Sequence, residues 1–262
     1  LLWHQYREIF LNEKRVKQGV EFWSNNELKL KEAERKFGVP PEIITAIIGV
    51  ETYYGRNSGS YRVIDSLNTL AFHYPRRSSF FLSELEQFLL LAREQNFNPE
   101  ELKGSYAGAM GMPQFISSSY RNYAIDFDGD NVADIWNNPN DAIGSVANYF
   151  FQHGWKNDET IITQVVIKGE DYKNVLDEKL ELNINEYDLE KYGILTNSDF
   201  DDGEKLKLFE FKLENSSEYW LAQKNFYVIT RYNHSKLYAM AVHQLALKIK
   251  ERKNVNNSIT EN

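Results

Sequence analysis

Apolar residues recur every third or fourth position along most of this chain and every second position in one stretch near residues 160–222, so the pattern predicts a mainly helical α+β protein. Leu1 to about Lys36 reads as helical, with Trp3, Tyr6, Ile9 and Phe10 on one face and a charged segment from Glu27 to Lys36. Gly38-Val39-Pro40-Pro41 breaks it and opens a second helix, Pro40 to Gly55. Two prolines suit its first turn, Ile44, Ile47 and Ile48 form its stripe, and Gly55 is the expected C-terminal cap. A polar loop, Arg56 to Arg62, leads to a short helix over Asp65–Phe72. His73 to Arg77 interrupts the chain before an amphipathic helix over Ser79–Gln95 with Phe81, Leu85, Phe88, Leu89 and Ala92 inward. After Asn98-Pro99 and Gly104, the small-residue run Ser105–Phe115 reads as a packed turn and helix start. It follows no strand, which excludes a dinucleotide loop. Helices are predicted over Ser117–Tyr123 and, after Pro139, over Asp141–Gln152, stopped by Gly154. Thr160–Ile167, Leu206–Leu213, Ser217–Ala222 and Phe226–Arg231 are β-rich and predict a small antiparallel module, with a short helix near Asp188–Tyr192. Helix resumes over Ser235–Lys250, with Tyr238, Ala241, Val242 and Leu245 as its stripe, and the tail from Glu251 is expected to fray.

One polar residue violates this pattern. Glu51 falls on the isoleucine stripe, four residues after Ile47 and three after Ile48, so its carboxyl points inward from the last helical turn. Burial and the negative helix end both favour the neutral form, which predicts a raised pKa and a general acid. A buried ion pair with an arginine is the competing reading. Ordinary glycosidases need a second carboxylate, roughly 5 Å away for retention or about 6.5–9.5 Å for inversion. Glu42 lies nine residues back on the opposite face and cannot serve, and nothing in the pattern places Asp65. A one-carboxylate mechanism, with the substrate supplying the second group, follows as an option.

Composition narrows the classes. The 262 residues carry a net charge of −8 with no Lys/Arg run, which argues against a nucleic-acid partner. No apolar run approaches a membrane span, and the absence of cysteine excludes disulfides and thiolate chemistry. The chain begins at Leu1 without Met, so a targeting segment is expected to have been removed. Aromatics reach 14%, compatible with a cleft that stacks sugar faces.

The strongest local motif is Asp126-Phe-Asp128-Gly-Asp130-Asn-Val132-Ala-Asp134, which offers oxygen ligands at positions one, three, five, seven and nine of an EF-hand-like calcium loop. Asn131 stands where such loops carry glycine, and Asn137 where they carry the closing glutamate. Asp141 is available to close the shell instead. The five histidines show no metal-ligand spacing, and no serine sits in a nucleophile elbow. Arg76-Arg77 is a candidate anion clamp.

Taken together, Ile47 to Gly55, Tyr74 to Arg77, Gly104 to Phe115, Asp126 to Asp134, Ala142 to Tyr149 and Arg231 to Val242 resemble, in order, the motifs of family B lytic transglycosylases. These are bacterial peptidoglycan-degrading enzymes of the membrane-bound lytic transglycosylase B type, here in soluble form. The resemblance implies three parts. A helical domain comprises residues 1–31, 80–98 and 239–262; a lysozyme-like catalytic core comprises 32–79, 99–157 and 226–238; residues 158–225 form a small β domain. Glu51 matches the sole catalytic acid/base. Ser105 and Gln114 match cleft residues, while Tyr232, Asn233, Tyr238, Met112, Tyr149, Arg76 and Arg77 match sugar-subsite positions. The acidic loop matches a structural calcium site with Asp126, Asp128, Asp130, the Val132 carbonyl and either Asp134 or Asp141 as ligands. Two departures are an extra residue between Trp136 and Asp141, and Ser117 where relatives often have proline.

The implied reaction cleaves the β-1,4 bond between N-acetylmuramic acid and N-acetylglucosamine in peptidoglycan and leaves a 1,6-anhydro end without consuming water. A hydrolytic muramidase and a non-catalytic calcium-stabilised glycan-binding protein are the alternatives. The resemblance also implies a monomer acting on glycan strands in the periplasm of a Gram-negative bacterium, anchored to the outer membrane by a segment outside this chain.

Overall fold

The computed structural model describes residues 1–260, the side chains of 257, 259 and 260 excepted. The first 37 residues form three helices, α1 (Trp3–Phe10), α2 (Glu13–Asn25) and α3 (Glu27–Phe37). The Asn12 side chain accepts the Arg15 N–H and caps α2, and Gly38 ends α3 with a left-handed φ of 72°.

Helix α4 (Pro41–Thr52) starts where the proline pair predicts, with Pro40 as N-cap. It ends sooner than expected. The left-handed residues are Tyr53 (φ 55°) and Tyr54 (φ 62°), with Gly55 (φ 80°) only after them. Two bulky residues hold this costly conformation because both are clamped. The Tyr54 hydroxyl donates to the Arg15 carbonyl at 2.8 Å, and the Arg15 guanidinium lies 4.3 Å from the Tyr53 ring centre. Every residue from Pro41 to Gly49 is buried, so α4 is the central strut. Its isoleucines Ile43, Ile44, Ile47 and Ile48 each contribute roughly 1.5–3 kcal/mol of burial.

Around α4 pack α2, α3, α8 (Pro139–Gln152) and α10 (Lys236–Thr260). Helices α5 (Val63–His73) and α6 (Ser78–Glu94) form a hairpin through a 3₁₀ turn at Pro75–Arg77, and α7 (Ser117–Tyr123) packs on α6. A two-stranded ladder joins β1 (Tyr61–Arg62) to β2 (Lys103–Gly104), inside what the sequence reads as loop. It needs a glycine: a Cβ at Gly59 would lie 2.1 Å from the Gly104 carbonyl oxygen. No helix begins within Ser105–Phe115, which is a series of turns.

The antiparallel sheet has the order β4 (Ile184–Asn185), β6 (Lys205–Lys212), β7 (Ser217–Ala222), β3 (Ile162–Ile167), β5 (Ile194–Leu195). One face of β6, with Phe209 and Phe211, enters the main core, where Phe211 meets Trp3 and Phe209 meets Phe226, each at 5.5 Å. The other face, with Leu206 and Leu208, builds a smaller core closed by Ile184, Leu189 and Ile194. Lys207, a polar position of the alternation, is fully buried on the Phe209 side and pairs with Asp177 at 2.6 Å.

Further expectations fail. Phe226–Arg231 is no strand but lies in α9 (Lys224–Tyr232), because the β-branched run Val228-Ile229-Thr230 is buried on a helical face and tertiary burial outweighs local preference. The tail does not fray at Glu251, since α10 continues to Thr260, with Lys253 reaching Glu27 and Ser24. The predicted helix near Asp188 is two 3₁₀ turns, Glu186–Asp188 and Glu190–Tyr192. Among the described residues, no helix is long and apolar enough to cross a membrane.

Candidate active site

Glu51 stands on the last turn of α4, half-buried, with Thr52 beside it fully inside. Burial pushes its carboxyl up to about 7, opposed by the Tyr238 hydroxyl of α10, which donates to Oε1 at 2.5 Å and favours the charged form. No arginine pairs with Glu51 among the described residues, so the ion-pair reading finds no partner. No second carboxylate perturbs it either. Glu42 is tied to Lys250 at 2.7 Å, nine residues or roughly 13 Å back along α4.

Three tyrosines surround the acid. Burial and then the Glu51 charge raise the pKa of Tyr232 and Tyr238 far above the ordinary tyrosine value, and Tyr6 is raised by the same two causes. The sequence reading places Tyr6 only in an apolar stripe. A phenol on that stripe was the available signal, but nothing local says that α1 folds back against the end of α4.

Thr52 joins the acid to the glycine-rich turns, its hydroxyl donating to the Met112 carbonyl at 2.9 Å. The Met112 side chain lies against Gly55, where an added Cβ would approach it to 3.2 Å. Gln114 takes a left-handed φ of 53°, and its amide donates to the Ser58 and Gly111 carbonyls at 3.1 and 3.0 Å. The Ser105 hydroxyl accepts the Ala109 N–H at 3.0 Å and lines a groove of about 510 Å³ shared with Ser58, Tyr61 and Tyr106. Tyr232 donates to the Pro113 carbonyl at 2.5 Å and meets the Tyr149 ring at 4.8 Å. Tyr149 in turn donates to the Arg231 carbonyl at 2.7 Å. These bonds tie the end of α4, the turns and the end of α9 together beside Glu51. Asn233 is exposed at the end of α9, and Arg76 and Arg77 are exposed in the 3₁₀ turn, Arg77 lying 4.3 Å from the Phe80 ring centre. No described contact ties these three to Glu51.

In the acidic loop, carboxylate oxygens of Asp126, Asp128, Asp130 and Asp141 lie within 4.8 Å of one another. Asp134 is not in this group: its Oδ1 accepts the Trp136 and Asn137 N–H groups at 2.9 and 3.0 Å and caps the next turn. No described hydrogen bond uses the Val132 carbonyl. Asn131 adopts a left-handed φ of 73°, as its place in the loop requires. Asp141 is buried on α8, its pKa raised to about 6 by burial, with Asp128 and Asp126 adding to the rise. Four clustered carboxylates with one buried fit a hard cation with oxygen ligands.

The transglycosylase SLT domain family matches residues 1–247. The Escherichia coli (strain K12) membrane-bound lytic murein transglycosylase B is 44% identical over 243 residues, covering 93% of this chain and 66% of its own length. Just under two thirds of that relative is therefore represented here. Among solved structures, the soluble lytic transglycosylase SltB1 of Pseudomonas aeruginosa superposes with a TM-score of 0.93 at 48% identity over 97% of this chain and 84% of that one. An Escherichia coli lytic transglycosylase in complex with calcium gives 0.90 at 42% identity over 96% and 79%. Ordered motifs, architecture and likeness over nearly the whole chain agree, and the chain belongs to the SLT-domain transglycosylase family.

Proposed function

We propose that this chain is a peptidoglycan lytic transglycosylase in which Glu51 acts twice. One observation carries the reading: a lone carboxyl at the end of α4, held near a pKa of 7 by burial, with a tyrosine donor and no second carboxylate acting on it. Neutral Glu51 gives its proton to the glycosidic oxygen between N-acetylmuramic acid and N-acetylglucosamine. The substrate's 2-acetamido group stabilises the positive charge that develops at C1. Glu51, now a carboxylate, takes the proton of the C6 hydroxyl as that oxygen bonds to C1, so the acid is regenerated and a 1,6-anhydro end forms. A pKa near 7 suits both steps, since the group must be a competent acid first and a competent base afterwards.

Tyr232, Tyr238, Tyr149, Met112, Ser105 and Gln114 shape the cleft, and Asn233, Arg76 and Arg77 extend it toward the flanking sugars. Calcium is proposed at Asp126, Asp128, Asp130, Asp141 and the Val132 carbonyl, where it relieves carboxylate repulsion and fixes the loop to α8. Residues 158–225 are proposed as an accessory β domain beside a catalytic and a helical part. A periplasmic setting follows from the substrate, and the membrane-bound description of the Escherichia coli relative supports a place in the cell envelope.

Mass spectrometry of digested peptidoglycan tests the reaction. Anhydromuramic ends are expected; reducing muramic ends would make the enzyme a hydrolase.

A further inference from the structure

The sheet module carries chemistry that the cleft does not use. Residues 158–225 hold seventeen Asp and Glu against eight Lys and no Arg, a net −9, while the rest of the chain, with 21 acidic and 22 basic residues, sums to +1. The acidity of the protein therefore resides on this module. It contains a groove of about 760 Å³ between β3, the 3₁₀ turns and the segment after β5. Glu186, Glu190 and Asp199 stand in its wall and no Lys or Arg lines it. None of the three is in an ion pair among the described residues. Glu186 Oε2 is buried without a hydrogen-bond partner, although Oε1 accepts the Gly203 N–H at 2.7 Å. A desolvated, unpaired carboxylate oxygen is unfavourable until a donor meets it, and a cationic donor also neutralises its charge.

One side of the groove is a free sheet edge. Strand β5 pairs with β3 only at Val166 and Ile167, so no strand lies opposite Ile162–Val165 on that side. The Lys168 N–H points that way, to the Gly193 carbonyl at 2.8 Å, and by alternation Gln164 directs its own N–H and C=O to the same side. Val166 and Leu195 are exposed beside it, at 67% and 43%. Such an edge accepts an extended peptide through main-chain hydrogen bonds while alternate side chains enter the walls.

We propose that this groove binds an extended, Lys- or Arg-bearing segment of a partner protein, which adds as a strand to β3 at Gln164 while its cations meet Glu186, Glu190 and Asp199. Charge decides the class of partner: an uncharged glycan offers hydroxyl and amide donors but leaves the net −9 of the module unneutralised, a cationic segment both donates and neutralises, and an acidic polymer is repelled.

The assignment is independent of the activity proposed above and is tested by calorimetry on the full chain. The probe is a capped seven-residue Lys-Val repeat peptide, with Gln-Val and Glu-Val repeats as controls. One-to-one binding of the Lys-Val peptide is expected, weakening as salt is raised. The Glu186→Gln/Glu190→Gln double variant should lose about tenfold in affinity with no fall in melting temperature. Gln164→Pro, which deletes the edge N–H, should lose binding of the same peptide; if it does not fold, the charge variant decides alone. Equal affinity for the Gln-Val peptide, or unchanged affinity in the double variant, overturns the proposal.

Discussion

At Glu51 two effects of opposite sign meet. Removing the carboxyl from water favours its neutral form, the Tyr238 hydroxyl favours the charged one, and burial wins, leaving the pKa at about 7 against an ordinary 4.5. Because the folded-state pKa is raised, the stability linked to the neutral form is fully present below about 4.5 and is lost as pH rises through about 7. Glu51→Gln should therefore melt higher than the parent at pH 8, by on the order of 2 kcal/mol, and nearly level with it at pH 4, as calorimetry can read. The same variant should lose at least about 100-fold in turnover. The parent's kcat/KM should fall as pH rises through about 7, where the acid ionises. Tyr238→Phe removes the donor that favours the charged form, so a pH–rate profile should show that falling limb at higher pH. A limb at the parent's position would remove Tyr238 from this role. Glu51 was legible in the sequence because it breaks a periodic pattern. Its hydroxyl partner, 187 residues away, was placed only by the packing of α10 on α4.

At the scale of the element, the end of α4 is set by contacts rather than by the glycine the sequence offers. Tyr54 lies across Gly49, where an added Cβ would approach its ring to 2.6 Å, and its hydroxyl reaches the Arg15 carbonyl of α2. Gly49→Ala should push the ring out, cost about 1–3 kcal/mol in a denaturant titration, and lower kcat by moving the turn that carries Glu51. Unchanged stability would mean that the ring relaxes freely. The same logic explains α9. Val228-Ile229-Thr230 favours a strand locally, yet burial on a helical face, with the Asn225 side chain bonded to the main chain of Lys156, commits the segment to a helix. Elements bounded by proline, glycine or strong periodicity, such as the start of α4, α6 and β7, were readable because local preference and burial agree there. Where they disagree, the local signal misleads.

At the scale of the molecule, the acidic loop and the sheet are fastened to one helical body. Phe127 packs over Gly144 of α8, where an added Cβ would sit 2.4 Å from its ring, and Asp141 of the same helix accepts the Phe127 N–H at 2.8 Å. Calcium at this loop should raise the melting temperature relative to chelator, by about 2.7 kcal/mol of stability at a hundredfold excess over Kd. Asp128→Asn should reduce that difference, whereas Asp134→Asn, outside the carboxylate cluster, should lower stability equally with calcium and with chelator. Scanning fluorimetry of the two variants separates the roles, and a calcium response lost only in Asp134→Asn would reverse the assignment. The sequence by itself determined which residue types are available for chemistry: the inward Glu51, the spaced aspartates, the glycines that permit close approach, and the order of motifs that marks the family. These are properties of periodicity and spacing, carried by short segments. Only the tertiary structure decided which of them meet, because the hydroxyl facing Glu51, the aspartate completing the acidic cluster and the phenols of Tyr6 and Tyr232 come from separate elements. Their convergence depends on how a buried α4 is packed on every side.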